Sequence, residues 1–269
     1  VIVRIRPPSP PLQSLIQYLW YHQDLDWGWQ RLLPDGAIEL IIDLTDGRKR
    51  WADVGRRALT TVNRAWLSGQ HSRPIAVESA QGSCMIGVHF RPGGAFPFVR
   101  GVVADFNDRV TEMDLLWGRF ASAIRDRLLE ETDIDRRFAI LEDALIWRAG
   151  GRLTLDRSLA CALDHLRSGP ETMTIGKLAG VIGVSQKRLV GLFERQVGLK
   201  PKMFSRVMRL QAVLRHVDRT PSTPWSVVAI EHGYVDQAHL INDFVGLTGL
   251  TPTQYLSHKG DELSWVSLP

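Results

Sequence analysis

Residues 173–204, MTIGKLAGVIGVSQKRLVGLFERQVGLKPKMF, decide how the chain is read. Ile175, Leu178, Ala179 and Ile182 recur at helical spacing and stop at Gly183, where a left-handed residue ends a helix at little cost. Val184 and Ser185 lead into a second apolar stripe at Leu189, Leu192, Phe193 and Val197. Ser185 is placed to accept a backbone N–H bond as the N-cap of that second helix. The pair reads as a helix-turn-helix. A single such pair also occurs as plain packing, so by itself it is weak evidence for DNA.

A second copy changes the weight of the reading. Residues 225–255, WSVVAIEHGYVDQAHLINDFVGLTGLTPTQY, repeat the same anchors in the same order. Ala179 and Gly183 recur 50 residues on as Ala229 and Gly233, and Phe193, Gly198, Pro201 and Phe204 recur 51 on as Phe244, Gly249, Pro252 and Tyr255. One residue has been added in the second turn. Repetition of this fidelity means two copies of one unit used together. Two such units, each closed by G-x-x-P-x-x-[FY], resemble the DNA-binding domain of the AraC family of bacterial transcription regulators. The second copy, GYVDQAHLINDF followed by GLTPTQY, is similar to that family's most recognisable signature.

Length and composition set the frame. The 269 residues suit two domains, each able to bury a core, and 44% hydrophobic with 23% charged residues is ordinary for a globular protein. No run approaches the roughly 18 apolar residues of a membrane span, and VIVRIRPPSPP lacks the apolar core of a signal peptide, so a cytoplasmic protein is expected. Cys84 and Cys161 lie in apolar patterns far apart, where buried free thiols are expected rather than a disulfide or a metal pair.

Charge is unevenly placed. Residues 1–150 hold 19 Lys plus Arg against 19 Asp plus Glu, so the net charge of +4 arises beyond them. Residues 175–216 carry nine basic side chains (Lys177, Lys187, Arg188, Arg195, Lys200, Lys202, Arg206, Arg209, Arg215) and one acid, Glu194, a net of +8. That is a footprint for phosphate; a solvated helical surface is the plainer alternative. Residues 217–257 carry Arg219 against Asp218, Glu231, Asp236 and Asp243, a net of −3, so the first unit is expected to supply most of the phosphate attraction.

Upstream, residues 1–6 alternate as an edge strand would, and Ser9-Pro10 reads as the start of a short helix carrying Leu12, Leu15, Ile16 and Leu19. RLLPDGAIELIIDLTDG has two apolar runs around Pro34-Asp35-Gly36 and a turn at Thr45-Asp46-Gly47, which is hairpin chemistry. Residues 75–79 and 84–90 read as further strands, and a small β-barrel closes them. From Thr111, Leu115, Leu116, Phe120, Ala123 and Ile124, then Phe138, Leu141, Leu145 and Ile146, mark two amphipathic helices. Gly150-Gly151 is a joint before a helix over 154–167, ended by Ser168-Gly169-Pro170. Met203, Val207, Leu210, Leu214 and Val217 trace one long helix between the repeats, and Thr223-Pro224 begins the next.

The expected fold class is therefore α+β: an N-terminal β-barrel with a helix pair over residues 1–150, then an all-α domain with two helix-turn-helix units over 151–269. LLPDGAIELIIDL and GVHFRPGGAFPF resemble an AraC subgroup with a cupin-like N-terminal domain. The resemblance implies that residues 1–150 sense an effector and form a homodimer, and that the partners are double-stranded DNA and RNA polymerase. The helix pair reads either as packing or as the dimer contact, and Trp20, Trp27, Trp29, Trp51, Trp66, Trp117 and Trp147 either as core or as the lining of an apolar pocket.

The expected DNA-facing residues follow from the stripes. On the first recognition helix they are Ser185, Gln186, Lys187, Arg188, Val190, Gly191, Glu194 and Arg195. On the second they are Gln237, Ala238, His239, Ile241 and Asn242. Lys187 can reach guanine O6 and N7, Val190 a thymine methyl, and Asn242 adenine N6 and N7. Arg188 and Arg195 suit phosphate. Gly191 replaces the long polar residue usual in the family. His22, His71 and His89 are too scattered for a metal cupin, and no cofactor is implied. An enzyme is not expected, since no ligand triad or activated nucleophile is present; a ligand-free architectural DNA-binding protein is the other alternative.

Overall fold

The computed structural model describes residues 2–25, 28–45, 47, 49–53, 59–79, 82–99, 101–168, 173–258 and 265–267. A six-stranded sheet runs in the order β1 (Ile2–Arg6), β2 (Ile16–Leu25), β9 (Ser83–Phe90), β4 (Glu39–Asp43), β7 (Ala65–Ser68), β10 (Val110–Glu112). A five-stranded sheet runs β11 (Trp265–Ser267), β3 (Gly28–Leu32), β8 (Ile75–Ser79), β5 (Lys49–Asp53), β6 (Leu59–Val62). All pairings are antiparallel, and the two sheets are not closed into one ring of strands among the described residues. The expected barrel thus takes the form of two facing sheets.

Period-two alternation sorts the six-stranded sheet. Leu19 and Tyr21, Leu40 and Ile42, and Ile86, Val88 and Phe90 point into a large core. That core is covered by α1 (Met113–Trp117), α2 (Arg119–Glu130) and α3 (Ile134–Ala149). Trp20, Ile41, Trp66 and Met85 point to the opposite face, into a smaller cluster between the sheets. Arg125 of α2 ties the layers together by donating to the carbonyls of Asp43 and Thr45, at 2.8 Å each.

Several sequence expectations need correction. Residues 10–12 form only one 3-10 turn, and the supposed helix from Ser9 gives way to β2, because IQYLWYHQDL alternates aromatic and aliphatic side chains at strand period. The runs flanking Pro34-Asp35-Gly36 are not hairpin partners: β3 pairs with β8 and β4 with β7 and β9, so this turn crosses between sheets. Asp46, Gly169 and Pro170 lie outside the described residues. Cys84 is half-buried beside the Tyr21 hydroxyl at 3.2 Å, whereas Cys161 is exposed; both are free thiols. Leu115, expected inward, is 81% exposed.

The remaining helices are α4 (Arg157–Ser168), α5 (Ile175–Ile182), α6 (Gln186–Leu192), α7 (Pro201–Arg219), α8 (Trp225–Glu231), α9 (Gln237–Thr248) and α10 (Pro252–His258). They share a second core that includes Leu159, Leu178, Phe193, Phe204, Leu210 and Phe244. Leu33, from the β half, is buried in that same core. No helix among the described residues is long and apolar enough to cross a membrane.

Candidate nucleic-acid interface

Each helix-turn-helix is fixed by local chemistry. Thr174 Oγ1 accepts from the Lys177 N–H and caps α5, which stops at Gly183 in the left-handed region, φ 76°. Ser185 Oγ accepts from the Arg188 N–H at 3.2 Å and caps α6, as the sequence predicts. That helix continues as a π-helical turn over Phe193–Val197 and ends at Gly198. In the second unit Asp236 takes the place of Ser185 and accepts from the His239 N–H at 2.7 Å, and α9 ends at Gly249, φ 68°. Thr223 does not cap α8; Pro224 holds the N-cap position and no side chain caps it.

The capping geometry points the reading positions outward. Gln186, Lys187, Arg188, Gly191 and Arg195 are exposed on the first unit, and Gln237, Ala238, His239 and Asn242 on the second. Val190, its counterpart Ile241, 51 residues on, and Glu194 are half-buried, and Ile241 packs against the helical core. Ser185 is exposed, with its hydroxyl already engaged in capping. Gly191 has open space where a side chain would stand.

The charge count is redistributed by the fold. Arg206 of α7 bonds Asp243 of α9, Nε to Oδ1 at 2.7 Å, so the acid beside Asn242 is buried and paired. Arg209 lies 4.8 Å over the Tyr234 ring and donates to the Gly233 carbonyl, capping the end of α8. Arg195 sits over Phe96 of the β half at 5.9 Å. Burial together with the Asp243 carboxylate raises the Tyr234 phenol. Lys177, Lys187, Arg188, Arg195, Lys200, Lys202 and Arg215 remain as exposed cations of the first unit, with Lys200 3.7 Å from Glu194 and Arg188 3.8 Å from Asp156. The contrast between the units is therefore smaller than the sequence count, and the second unit does not present Asp243 to DNA.

The β half holds both units from behind, at equivalent places. Asn107 Nδ2 donates to the Gly198 carbonyl at 2.8 Å, and a Cβ at Gly198 would stand 2.6 Å from Asn107 Oδ1. Arg31 of β3 donates to the carbonyls of Thr248 and Gly249 at 3.3 Å each. Gly198 and Gly249 are the paired repeat anchors that end the two recognition helices. The linker helix α7 is seized too: Gln211 Nε2 donates to the Pro34 carbonyl at 2.8 Å, and a Cβ at Gly36 would stand 2.7 Å from Met208 Cε. Finally β11, beyond α10, pairs with β3 in the register Val266↔Arg31.

Two cavities flank this junction. One, of about 1110 Å³, lies between the halves, with Tyr18, Asp35 and Arg91 on one wall and Arg167, Arg209 and Arg215 on the other. Desolvation, then the neighbouring Arg167, lowers the Arg215 pKa. The other, of about 140 Å³, lies between the sheets and is lined by Trp20, Trp51 and Trp66. Leu32 of β3 lines both cavities. No group of metal-binding side chains occurs among the described residues; His89 instead bonds Glu39 at 3.0 Å and stacks on Tyr18.

Comparison with known proteins completes the description. A helix-turn-helix domain model matches residues 178–258 and spans both units. Over these residues the chain carries a helix-turn-helix domain. Residues 4–112 match a domain of unknown function, DUF6597. Among solved structures, an apo variant of ToxT from Vibrio cholerae is 11% identical, with 94% of this chain and 99% of that one covered and a TM-score of 0.48. A second crystal form of ToxT is 9% identical over 89% of this chain and 98% of that one, TM-score 0.49. The AraC-like transcriptional activator CuxR is 16% identical over 78% and 86%, TM-score 0.26. A comparison with curated proteins finds no match.

Sequence reasoning missed two features of this interface. Val235, the residue added in the second turn, is 84% exposed immediately before the α9 cap. Asp236 is that cap, and its signal was present: it stands 51 residues after Ser185. The N-terminal grip had no sequence signal, since Arg31 and Asn107 lie in unremarkable strand and loop contexts.

Proposed function

We propose that this protein is a transcription regulator of the AraC type, which reads DNA sequence with α6 and α9, and that a small molecule held in its N-terminal half controls the readout. Residues 1–150 form the sensing and dimerising part, and 151–269 the DNA-binding part. Lys187 contacts guanine and Asn242 adenine. Gln186, Val190, Gly191, Glu194, Gln237, Ala238, His239 and Ile241 shape the base contacts, and Ser185, Arg188 and Arg195 approach phosphate. A genomic target places the protein in the cytoplasm, with RNA polymerase as the further partner. Homodimerisation through the helix pair is supported by Trp147, 69% exposed with its ring tilted against Phe120 at 4.5 Å, and by the exposed Leu115.

One observation carries control by the N-terminal half: Asn107 and Arg31 bond the ends of both recognition helices at homologous glycines. The reading ends of those helices, at their N-termini, stay free, as groove entry requires. The grip therefore suits DNA binding and governs the separation and tilt of the two helices. Selection of preferred DNA sequences with the native protein and with Arg31→Ala/Asn107→Ala tests it. The native protein selects two half-sites about one helical turn, 34 Å, apart with a narrow spacing, and the double variant accepts broader spacings. Identical spacing profiles would refute control through this grip.

A further inference from the structure

The two faces of the six-stranded sheet are filled very differently. The face under the helices packs a large cluster of fully buried aliphatic and aromatic side chains. Among the described residues the face toward the second sheet contributes Ile41, Trp66 and Met85 to a small buried cluster, joined by Val62 of β6 from the facing sheet, and a cavity of about 140 Å³ remains between the sheets. Its walls are aromatic by construction. Gly87 has no side chain because the Trp20 ring lies across it: a Cβ there would stand 2.3 Å from the indole. Trp20 is thus laid flat on β9, and Trp51 and Trp66 complete the lining.

Charge on these walls is compensated internally. Lys49, 7% exposed, donates to Ser83 Oγ at 3.2 Å and lies 3.7 Å from Asp43 Oδ2. Arg50 is paired with Glu78, and Glu39 with His89. Burial, then the Lys49 charge, lowers the His22 pKa to about 4, so its ring is neutral at pH 7. The Trp51 indole N–H is buried without a hydrogen-bond acceptor among the described residues. Buried donors are ordinarily satisfied, and one on a cavity wall calls for an acceptor in the cavity.

We propose that the space between the sheets binds a neutral compound of one aromatic ring carrying one hydrogen-bond acceptor, the ring packed among Trp20, Trp51 and Trp66 and the acceptor taking the Trp51 N–H. The volume sets the size, since an apolar cavity of about 150 Å³ holds a single benzene ring. The compensated walls set the charge, because neither a carboxylate nor an ammonium finds an uncommitted counter-ion there. The tryptophans set the preference for a flat ring, through stacking. The regulatory meaning of such a ligand rests on the effector reading above; its binding does not.

Isothermal titration of the full chain with benzamide, benzoate, cyclohexanecarboxamide, octanoate, 2-naphthamide and toluene tests this. Benzamide binds one per chain, roughly tenfold or more tighter than benzoate, octanoate or cyclohexanecarboxamide, and 2-naphthamide does not enter. Trp51→Phe keeps a ring on the wall but removes the donor: it weakens benzamide about tenfold and leaves toluene unchanged. Val77 of β8 also lines the cavity, and Val77→Phe fills it and abolishes binding while circular dichroism stays native. Benzoate or octanoate binding as tightly as benzamide, an unaltered benzamide affinity in Trp51→Phe, or failure of every ring compound to bind would each overturn the proposal. If benzamide binds as described and DNA affinity does not respond to it, the site stands and the effector reading falls.

Discussion

Removing the guanidinium of Arg206 breaks the link between the helix that joins the two units and the second recognition helix. Arg206 Nε lies 2.7 Å from Asp243 Oδ1, with the Asp243 side chain 8% exposed and the Arg206 side chain 37% exposed. The only other side chain bonded to that carboxylate among the described residues is the Tyr234 hydroxyl, at 3.5 Å. Truncating one partner of a fully buried pair costs about 3–5 kcal/mol because a charge is stranded. Here more than a third of the arginine meets water, which refills the space and screens the acid, so Arg206→Ala should cost about 2 kcal/mol. Asp243→Asn still accepts a bond and should cost about 1 kcal/mol. The double variant should fall short of the sum by about 1 kcal/mol, since the second change removes a charge already stranded. Two cores make global unfolding a poor measure, so native-state hydrogen exchange of the α9 amides is the assay. Additive losses, or α9 protection unchanged in Arg206→Ala, would show that Asp243 does not depend on Arg206 for its burial.

The DNA interface yields two further expectations. Lys187→Ala/Arg188→Ala should weaken binding to all sequences and flatten the salt dependence by roughly one to two counterions, whereas Asn242→Ala should cost less, about 1–3 kcal/mol at one base position; titrations at fixed salt compare them. Gly246→Arg supplies the second unit with the cation that Arg195 provides in the first, at a position where a Cβ would stand 4.0 Å from Arg206 Nη2, and should tighten binding and steepen the salt slope by about one. In the β half, His22 is neutral when folded, with a pKa near 4 against an ordinary value of 6.5. Its contribution is whole above pH 6.5 and is lost as pH falls toward 4, about 3 kcal/mol at the limit, and His22→Phe should flatten that acid limb in thermal melts.

The helical half was legible because each local signal agrees with the fold. Gly183 ends a helix, Ser185 caps one, and Gly198 and Gly249 close the two units at matching repeat positions. The β half was only partly legible. β8 and β9 were visible as apolar runs between turn residues, but β5, β6, β7 and β10 are short, and their pairings with β8, β5, β4 and β7 are set by the tertiary arrangement. The short helix expected from Ser9-Pro10 failed because Leu12, Leu15, Ile16 and Leu19 match helical spacing by coincidence, while the aromatic alternation from Ile16 to Leu25 is that of a strand. Charge was read as a surface property, and Arg206 and Arg209 escaped that reading because their partners, Asp243 and Tyr234, become neighbours only when α7 packs on α8 and α9.

The pairing of β11 with β3 bears on how such a regulator can be recombined. A crossover near residue 150 looks like the natural seam for exchanging one DNA-binding half for another, since only a glycine joint would be cut. Yet the last described strand of the chain returns to the first half's sheet, and Arg31 meets both that strand and the end of α9. A grafted half would arrive without a matching strand, without Gln211 for Pro34 and without the carbonyls that Asn107 and Arg31 expect. The two halves are thus inherited as a matched set, and a chimera that respects the seam alone should fold as two tethered bodies with the spacing of its recognition helices left unset.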